Sequence, residues 1–531
     1  KIFSAGASSV FVLVDRAVMM MLLWFCSCFL GVAASQGVWP CSNCASDSCC
    51  CMYCASVNGS TTTQTAFECL TIEGCLEAGG QCKHHSTSAH QRPLRSRLVP
   101  RFVPQPDGVE QVHLITGNPE EVTIVYVTQA DIDTSVLISS ALEPPVKFHG
   151  SRKVYSAMQY GAAGNGWVYD WEDGYDDDVF PVPPKNLYGC GPAWSGNSKV
   201  DCIYTSDYVH QVTITGLTPD TSYWYLPFGA GEWRSFKTSP AIGRPVSFGL
   251  VADLGQTTDS VLVMQRLKER VDRGDIDAII FPGDISYADG YANAWDNYGR
   301  VSEFLFEAVP TAYTVGNHEF ANEQFVHYTP RYPAPVSSTV PSDSSLWYSY
   351  ETGLAHVMML CFYCDVSPGS SQYKFVVKDL AALDRSRTPW LVVSMHVPLY
   401  SSFSDYMMVE SAAFRGSLEP LLYAAKADVV FAGHVHAYER TDFIYNGTVT
   451  CDAPMYITVG DGGNNEGPSC WSNEVPQWTA FRETSFGYGV LDIQNETHGL
   501  WTWYRNSDAN STIADTIAVQ TASTRCARSM V

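Results

Sequence analysis

Five short polar motifs between residues 253 and 436 constrain this chain more than any other feature of it. They are Asp253-Leu-Gly255, Gly283-Asp-Ile-Ser-Tyr287, Gly316-Asn-His-Glu319, Val393-Ser-Met-His396 and Gly433-His-Val-His436. Each ends an apolar run (Val246–Ala252, Ala278–Phe281, Ala312–Val315, Leu391–Met395 and Val429–Ala432) with the length and composition of a buried strand. Open α/β sheets place ligand sites beyond the carboxyl ends of their strands, so the five tips are expected on one rim. Taken singly, each motif has a plain structural reading: Asp-x-Gly is a turn, Asn317 a turn former after Gly316, Tyr287 a core aromatic, His-x-His an exposed loop. Five in order, each at a strand end, argue for shared chemistry.

The tips carry Asp253, Asp284, Tyr287, Asn317, His396, His434 and His436: carboxylate, phenolate and amide oxygens with three imidazoles and no thiol. Hard oxygens suit a trivalent or hard cation, and imidazoles suit Zn, Fe or Mn. Seven donors are too many for one metal that keeps a position open. They fit two metals sharing a bridging carboxylate, held ~3.5–4 Å apart to clamp both oxygens of an in-line displacement. The pattern points to hydrolysis of a phosphate ester.

The ordered set resembles that of the purple acid phosphatases, within the calcineurin-like metallophosphoesterases. Tyr287 is the discriminating residue. The resemblance continues through Ala437-Tyr-Glu-Arg440, Gly460-Asp-Gly-Gly-Asn464, Ser485-Phe-Gly-Tyr-Gly489, Asn495-x-Thr-His498 and Trp503-Tyr-Arg-Asn506, and spans about Val103 to Asp508. It implies an α/β metallophosphoesterase sandwich, two β-sheets flanked by helices. It places Fe(III) on Asp253, Asp284, Tyr287 and His436, and a divalent Fe, Zn or Mn on Asp284, Asn317, His396 and His434. It implies an acid phosphatase that hydrolyses phosphate monoesters by attack of a metal-bound hydroxide. Asn317 and His318 would contact substrate, with His318 also serving the leaving group. Plant members often carry histidines about nine residues past the Val-x-x-His histidine. Asp405 and Tyr406 hold those places here and become the candidate substrate contacts. Phytase or nucleotide phosphatase activity is the alternative within the family. A weakly catalytic binding protein is the alternative outside it, and the complete ligand set opposes that reading.

Along the chain, residues 1–35 read as upstream residues and a secretory signal, with the apolar run Val18–Val32 ending at Ala33-Ala34-Ser35. Residues 36–82 form a cysteine-dense module too short to bury a core, so disulfides are expected to hold it, with zinc at Cys41–Cys44 and Cys51–Cys54 as the alternative. Contact with wall, matrix or glycan is its candidate role. Residues 83–102 read as a basic linker. Residues 103–240 alternate like an antiparallel β domain and resemble the fibronectin-III-like domain of the large plant-type members. Within it, the acidic run around Asp176-Asp177-Asp178 reads as a solvated loop, calcium being the alternative. Residues 241–515 form the metal domain and 516–531 a tail. A helix is expected from an N-cap at Asp259 to Gly274, and another over Ser411–Lys426.

Eighteen cysteines and sequons at Asn58, Asn446, Asn495 and Asn510 fit secretion or a vacuole-like compartment. Cys190 with Cys202 reads as a disulfide loop, and Cys451 and Cys470 are further candidates. Cys526 is a candidate partner for the odd cysteine of the module. A net charge of −23 argues against nucleic acid and leaves attraction of small phosphorylated substrates to the metals. No transmembrane or lipid anchor is expected, and the resemblance admits a homodimer.

Overall fold

The computed structural model describes residues 49–56, 63–70, 81–83, 108–158 and 203–526, apart from residues 142, 291, 322, 337–339, 404, 470, 472–474 and 507–511. The signal run, the linker beyond Lys83, the acidic run, Asn58, Asn510, Cys190, Cys202 and Cys470 lie outside the described residues. The chain divides into two units, 1–91 and 92–531. In the first, β1 (Cys49–Ser56), β2 (Thr63–Leu70) and β3 (Gln81–Lys83) pair antiparallel in the order β2-β1-β3.

The second unit opens with β4 (Val109–Thr116), β5 (Glu121–Thr128), β6 (Ser135–Ser140), β7 (Val146–His149), β8 (Ser151–Lys153), β9 (Ser156–Met158), β10 (Ile203–Thr205), β11 (Tyr208–Thr215), β12 (Ser222–Pro227) and β13 (Arg234–Lys237). Four of these form a sheet of order β13-β12-β6-β7. It packs on β4, β5 and β11 through Val112, Leu114, Ile124, Tyr126, Val136, Ile138, Tyr225 and Phe236. Alternating inward residues on both layers make this a β-sandwich.

The metal domain contributes β14 (Val246–Leu250), α1 (Thr258–Arg273), β15 (Ala278–Phe281), α2 (Ala292–Phe306), β16 (Thr311–Tyr313), α3 (Asn317–Phe320), α4 (Tyr328–Arg331), β17 (Tyr348–Thr352), β18 (Ala355–Met359), α5 (Ser371–Ala382), β19 (Trp390–Ser394), α6 (Asp405–Glu410), α7 (Ala412–Ala424), β20 (Val429–Ala432), β21 (Tyr438–Tyr445), β22 (Thr448–Val449), β23 (Met455–Val459), β24 (Thr479–Glu483), β25 (Gly487–Ile493), β26 (His498–Arg505), β27 (Ile513–Gln520) and α8 (Ala522–Arg525). Two sheets face each other. One runs β27-β26-β25-β14-β15-β16 and then continues without a break into β4-β5-β11-β8; the other runs β17-β18-β19-β20-β23-β21-β22. Strand periodicity sorts the core. Phe248, Leu250, Ala278 and Ile280 meet Val392, Val429 and Phe431 between the sheets, whereas Ile279 and Phe281 pack outward with Val263, Leu267 and Trp295 of the helices.

The continuous sheet was not legible in the alternation of residues 103–240, which reads as a separate domain. β16 pairs with β4 in parallel at Thr311↔Ile115. Partly buried ion pairs reinforce the seam: Arg300 with Glu110 (2.6 Å), and Arg234 with Glu303 (2.9 Å) and Glu307 (2.7 Å). The expected N-cap at Asp259 is corrected to Thr257, whose side chain accepts from Ser260 N while Ser260 reaches back to the Thr257 backbone; Gly274 closes the helix as expected. Cys451, an expected disulfide cysteine, pairs with Cys526, so Cys526 is not the partner of the N-terminal module; the chain returns to Cys451 through α8, a proximity that sequence spacing conceals. Among the described residues, no helix is long and apolar enough to cross a membrane.

One buried cluster gives the fold a pH dependence. His356 Nε2 lies 2.7 Å from Asp379, whose other oxygen accepts from Ser349 (2.6 Å). Burial opposes the histidine's charge, but Asp379 and Glu351 push His356 up to about 9. A group raised above its unfolded value near 6.5 stabilises fully below that value, and the gain is lost as pH rises through about 9. The effect is on the order of 3 kcal/mol by linkage. The melting temperature is expected to fall between neutral and mildly alkaline pH, and His356→Gln is expected to flatten that slope. Equal slopes in the two proteins would rule the cluster out.

Candidate metal centre

All five tips lie beyond the carboxyl ends of parallel strands: β14, β15 and β16 in one sheet and β19 and β20 in the other. The turns that present them are strained. Asp253 (φ 54°), Asp284 (53°), Tyr287 (54°), Asp289 (52°) and His434 (69°) are all left-handed, a conformation costing about 1–3 kcal/mol per residue when the surroundings enforce it. The enforcement is visible. Asp253 N–H donates to Gly283 O and Leu254 N–H to Asp284 O (3.1 Å each). The buried Glu319 carboxylate accepts from the N–H groups of Asp284 (2.9 Å), Ile285 (2.9 Å) and Gly316 (2.8 Å), tying two motifs together. A side chain on Gly316 would overlap Asp284 Oδ1, and one on Gly433 would overlap Asp253 Oδ2, so both positions require glycine.

The donors gather in two nests. In the first, the Tyr287 hydroxyl donates to Asp253 Oδ1 (3.2 Å) and lies 3.0 Å from His436 Nε2, itself 3.5 Å from Asp253 Oδ1. In the second, Asn317 Oδ1 is 3.0 Å from His396 Nε2 and 2.8 Å from His434 Nδ1. Asp284, His396 and His434 each offer a ligand atom within 4.8 Å of the others. Asp284 Oδ2 is buried without a well-directed hydrogen bond, although His396 Nε2 is 3.1 Å away. This is the orphaned oxygen expected of a carboxylate built for cations.

The outer nitrogens fix the ring orientations. His396 Nδ1 is 2.8 Å from the Pro282 carbonyl and His436 Nδ1 is 3.1 Å from that of Gly467, so Nε2 of each ring faces the site. Burial opposes charge on His396, yet Asp284 and Asp253 push it up to about 9. Burial likewise opposes charge on Asp284, but His396 and His318 hold it well below the usual carboxylate range. The field is one that bound cations would neutralise, and the residues present fit two of them.

His318 lies at the mouth of the same cluster. Its Nδ1 pairs with Asp289 Oδ1, its Nε2 is 3.8 Å from Asp284 and 3.6 Å from Glu466, and its ring lies 4.0 Å from that of Tyr287. Burial works against its charge, but Asp289 and Asp284 hold it well above the ordinary histidine range. Asp405 and Tyr406 open α6; their side chains lie outside what is described. Four neighbours escaped sequence reasoning: Asp289, Tyr363, Glu410 and Glu466. Asp289, two residues past the Gly283–Tyr287 motif, and Glu466, two past the Gly460–Asn464 motif, had a signal nearby; Tyr363 and Glu410 had none.

Glu410 ends α6 with Oε2 3.4 Å from His434 Nε2, the nitrogen turned away from Asn317, and that oxygen has no hydrogen bond. Carboxylates behind metal-ligating histidines fix the ring and raise its basicity. Glu410→Gln is expected to weaken retention of the metal in the His434 nest about 10–100-fold, read by dialysis against a chelator. Unchanged retention would leave Glu410 a structural residue.

Two opposed sheets with an acidic, histidine-rich double nest at their strand tips define a two-metal phosphoesterase of the calcineurin-like class; the calcineurin-like phosphoesterase model matches residues 246–438. The flanking segments are more specific. Residues 109–238 match the purple acid phosphatase N-terminal domain, and residues 453–516 the iron/zinc purple acid phosphatase-like protein C. Purple acid phosphatase 21 of Arabidopsis thaliana is 40% identical over 415 residues, covering 74% of this chain and 92% of that protein. Fe(3+)-Zn(2+) purple acid phosphatase 12 of the same plant is 36% identical over 436 residues, covering 74% and 90%. Purple acid phosphatase PPD1 from yellow lupin seeds shares the fold with a TM-score of 0.63 at 21% identity, over 78% of this chain and 75% of that one. The chain belongs to the purple acid phosphatase family.

Proposed function

We propose that the chain is a secreted acid phosphatase acting on small phosphate monoesters, with Fe(III) on Asp253, Asp284, Tyr287 and His436 and divalent Fe, Zn or Mn on Asp284, Asn317, His396 and His434. The observation that carries this reading is the buried Tyr287 phenol, 3.2 Å from Asp253 Oδ1 and 3.0 Å from His436 Nε2. When bound, the metals supply Lewis acidity that activates water at acid pH and neutralises charge on the phosphate. The chain's own residues do the rest. Asn317 and His318 meet the phosphate. His318, anchored through Nδ1 by Asp289, carries a proton on Nε2 for an equatorial oxygen or the leaving oxygen. Asp405 and Tyr406 contribute the leaving-group side.

Secretion is supported by the Cys361–Cys364 and Cys451–Cys526 disulfides and by exposed sequon asparagines at Asn446 and Asn495. The sandwich of residues 103–240 is read as fibronectin-III-like, and residues 36–82 as a disulfide module for wall or matrix contact. The test is the visible spectrum of the purified protein with a metal analysis. A purple band, lost in Tyr287→Phe, with about two metals per chain including iron is expected. A colourless protein with two metals and no iron would overturn the Fe(III)–phenolate assignment.

A further inference from the structure

The loop after β18 is closed by a disulfide between Cys361 and Cys364, with only Phe362 and Tyr363 between them. Cys361 is fully buried and anchored on both backbone groups: its N–H donates to Gln372 Oε1 (2.8 Å) and its carbonyl accepts from Gln372 Nε2 (2.9 Å). The two enclosed aromatics diverge. Phe362 stacks on Phe414 of α7, with centroids 5.0 Å apart. Tyr363 stacks on Phe320 of α3 (5.4 Å, 9° between planes), its ring lies 6.2 Å from that of His396, and its hydroxyl donates to Asn317 Oδ1 (3.4 Å). Tyr363 therefore touches both ends of the one-turn helix that carries Asn317.

We infer that the Cys361–Cys364 disulfide is a clip that makes Tyr363 the positioning residue for Asn317, so that the order of the second-metal nest depends on this bond. An amide can turn either its oxygen or its nitrogen toward a metal, two orientations nearly alike in shape. A hydroxyl donor aimed at Oδ1 selects the oxygen-inward orientation, as hydrogen bonds behind metal ligands commonly do. A free loop would have to order Tyr363 for this contact, whereas the clip removes most of that conformational freedom beforehand. The inference rests on the assignment of Asn317 as a ligand.

The test compares metal-loaded full-length wild type with Cys361→Ser/Cys364→Ser, Tyr363→Phe, their combination, and Asn317→Ala. The readouts are the rate of loss of the divalent metal to a chelator, the visible band, and the melting temperature. The serine pair and Tyr363→Phe are each expected to speed divalent-metal loss about tenfold while the iron band persists. The combination is expected to add nothing, because both changes remove one contact. Wild-type retention in the serine pair would overturn the inference. So would additive effects, or parallel loss of both metals with a lowered melting temperature, which would make the disulfide a general staple. If Asn317→Ala keeps its divalent metal, the ligand assignment itself fails. If it loses the metal while the clip variants keep theirs, only the clip fails.

Discussion

Asp284→Asn is expected to lose metal from both nests and to lower kcat by roughly three to four powers of ten, since metal Lewis acidity contributes several kcal/mol and each 1.36 kcal/mol is tenfold. The substitution separates charge from shape. Asp284 Oδ1 accepts the His318 N–H at 2.9 Å, and an asparagine oxygen keeps that bond and the left-handed turn. What disappears is the negative charge of the buried Oδ2, the atom that lacks a well-directed partner beside His396. Metal analysis, kcat and melting temperature together check the result. A folded variant with two metals and activity within tenfold of wild type would exclude the bridging role.

His318→Gln is expected to behave differently, with both metals and the colour intact and kcat/KM lower by about 10²–10³-fold, the usual worth of a placed proton donor or anion-stabilising group. The loss should be greater for monoesters with poor leaving groups than for activated aryl phosphates if His318 protonates the leaving oxygen, and uniform if it only holds an equatorial oxygen. Asp289→Asn should follow the same pattern more weakly, because it orients the ring without reaching substrate. Metal loss in His318→Gln would move the residue from substrate chemistry to ligand support.

The candidate donors were legible because strand runs, bounding glycines and donor chemistry are local signals: Asp253, Asp284, Tyr287, Asn317, His396, His434 and His436 all fall on the rim that their strand ends imply. Their support was not. Glu410 reaches His434 from a different helix, Tyr363 reaches Asn317 through a fold-back, and Asp289 looks like any acidic turn residue until His318 is seen beside it. The N-cap shows the same limit at short range. Asp259 and Thr257 are both good capping residues, and the choice falls to Thr257 partly because its hydroxyl also meets the Gly463 carbonyl from a distant loop. The partner of Cys526 was not legible either, since that pairing depends on where α8 returns.

The shared sheet has a consequence for how this molecule can move. Domains joined by a flexible tether can open and shut a cleft like jaws. Here the two parts are joined by a single parallel strand pairing at Thr311↔Ile115 and by ion pairs on Arg300 and Arg234. Together these contacts oppose opening at the seam, so the β-sandwich braces the sheet whose strand ends carry Asp253, Asp284 and Asn317. The contacts that reach the site from outside the two sheets are then those of the rim, Glu410 at His434 and Glu466 at His318 and His436.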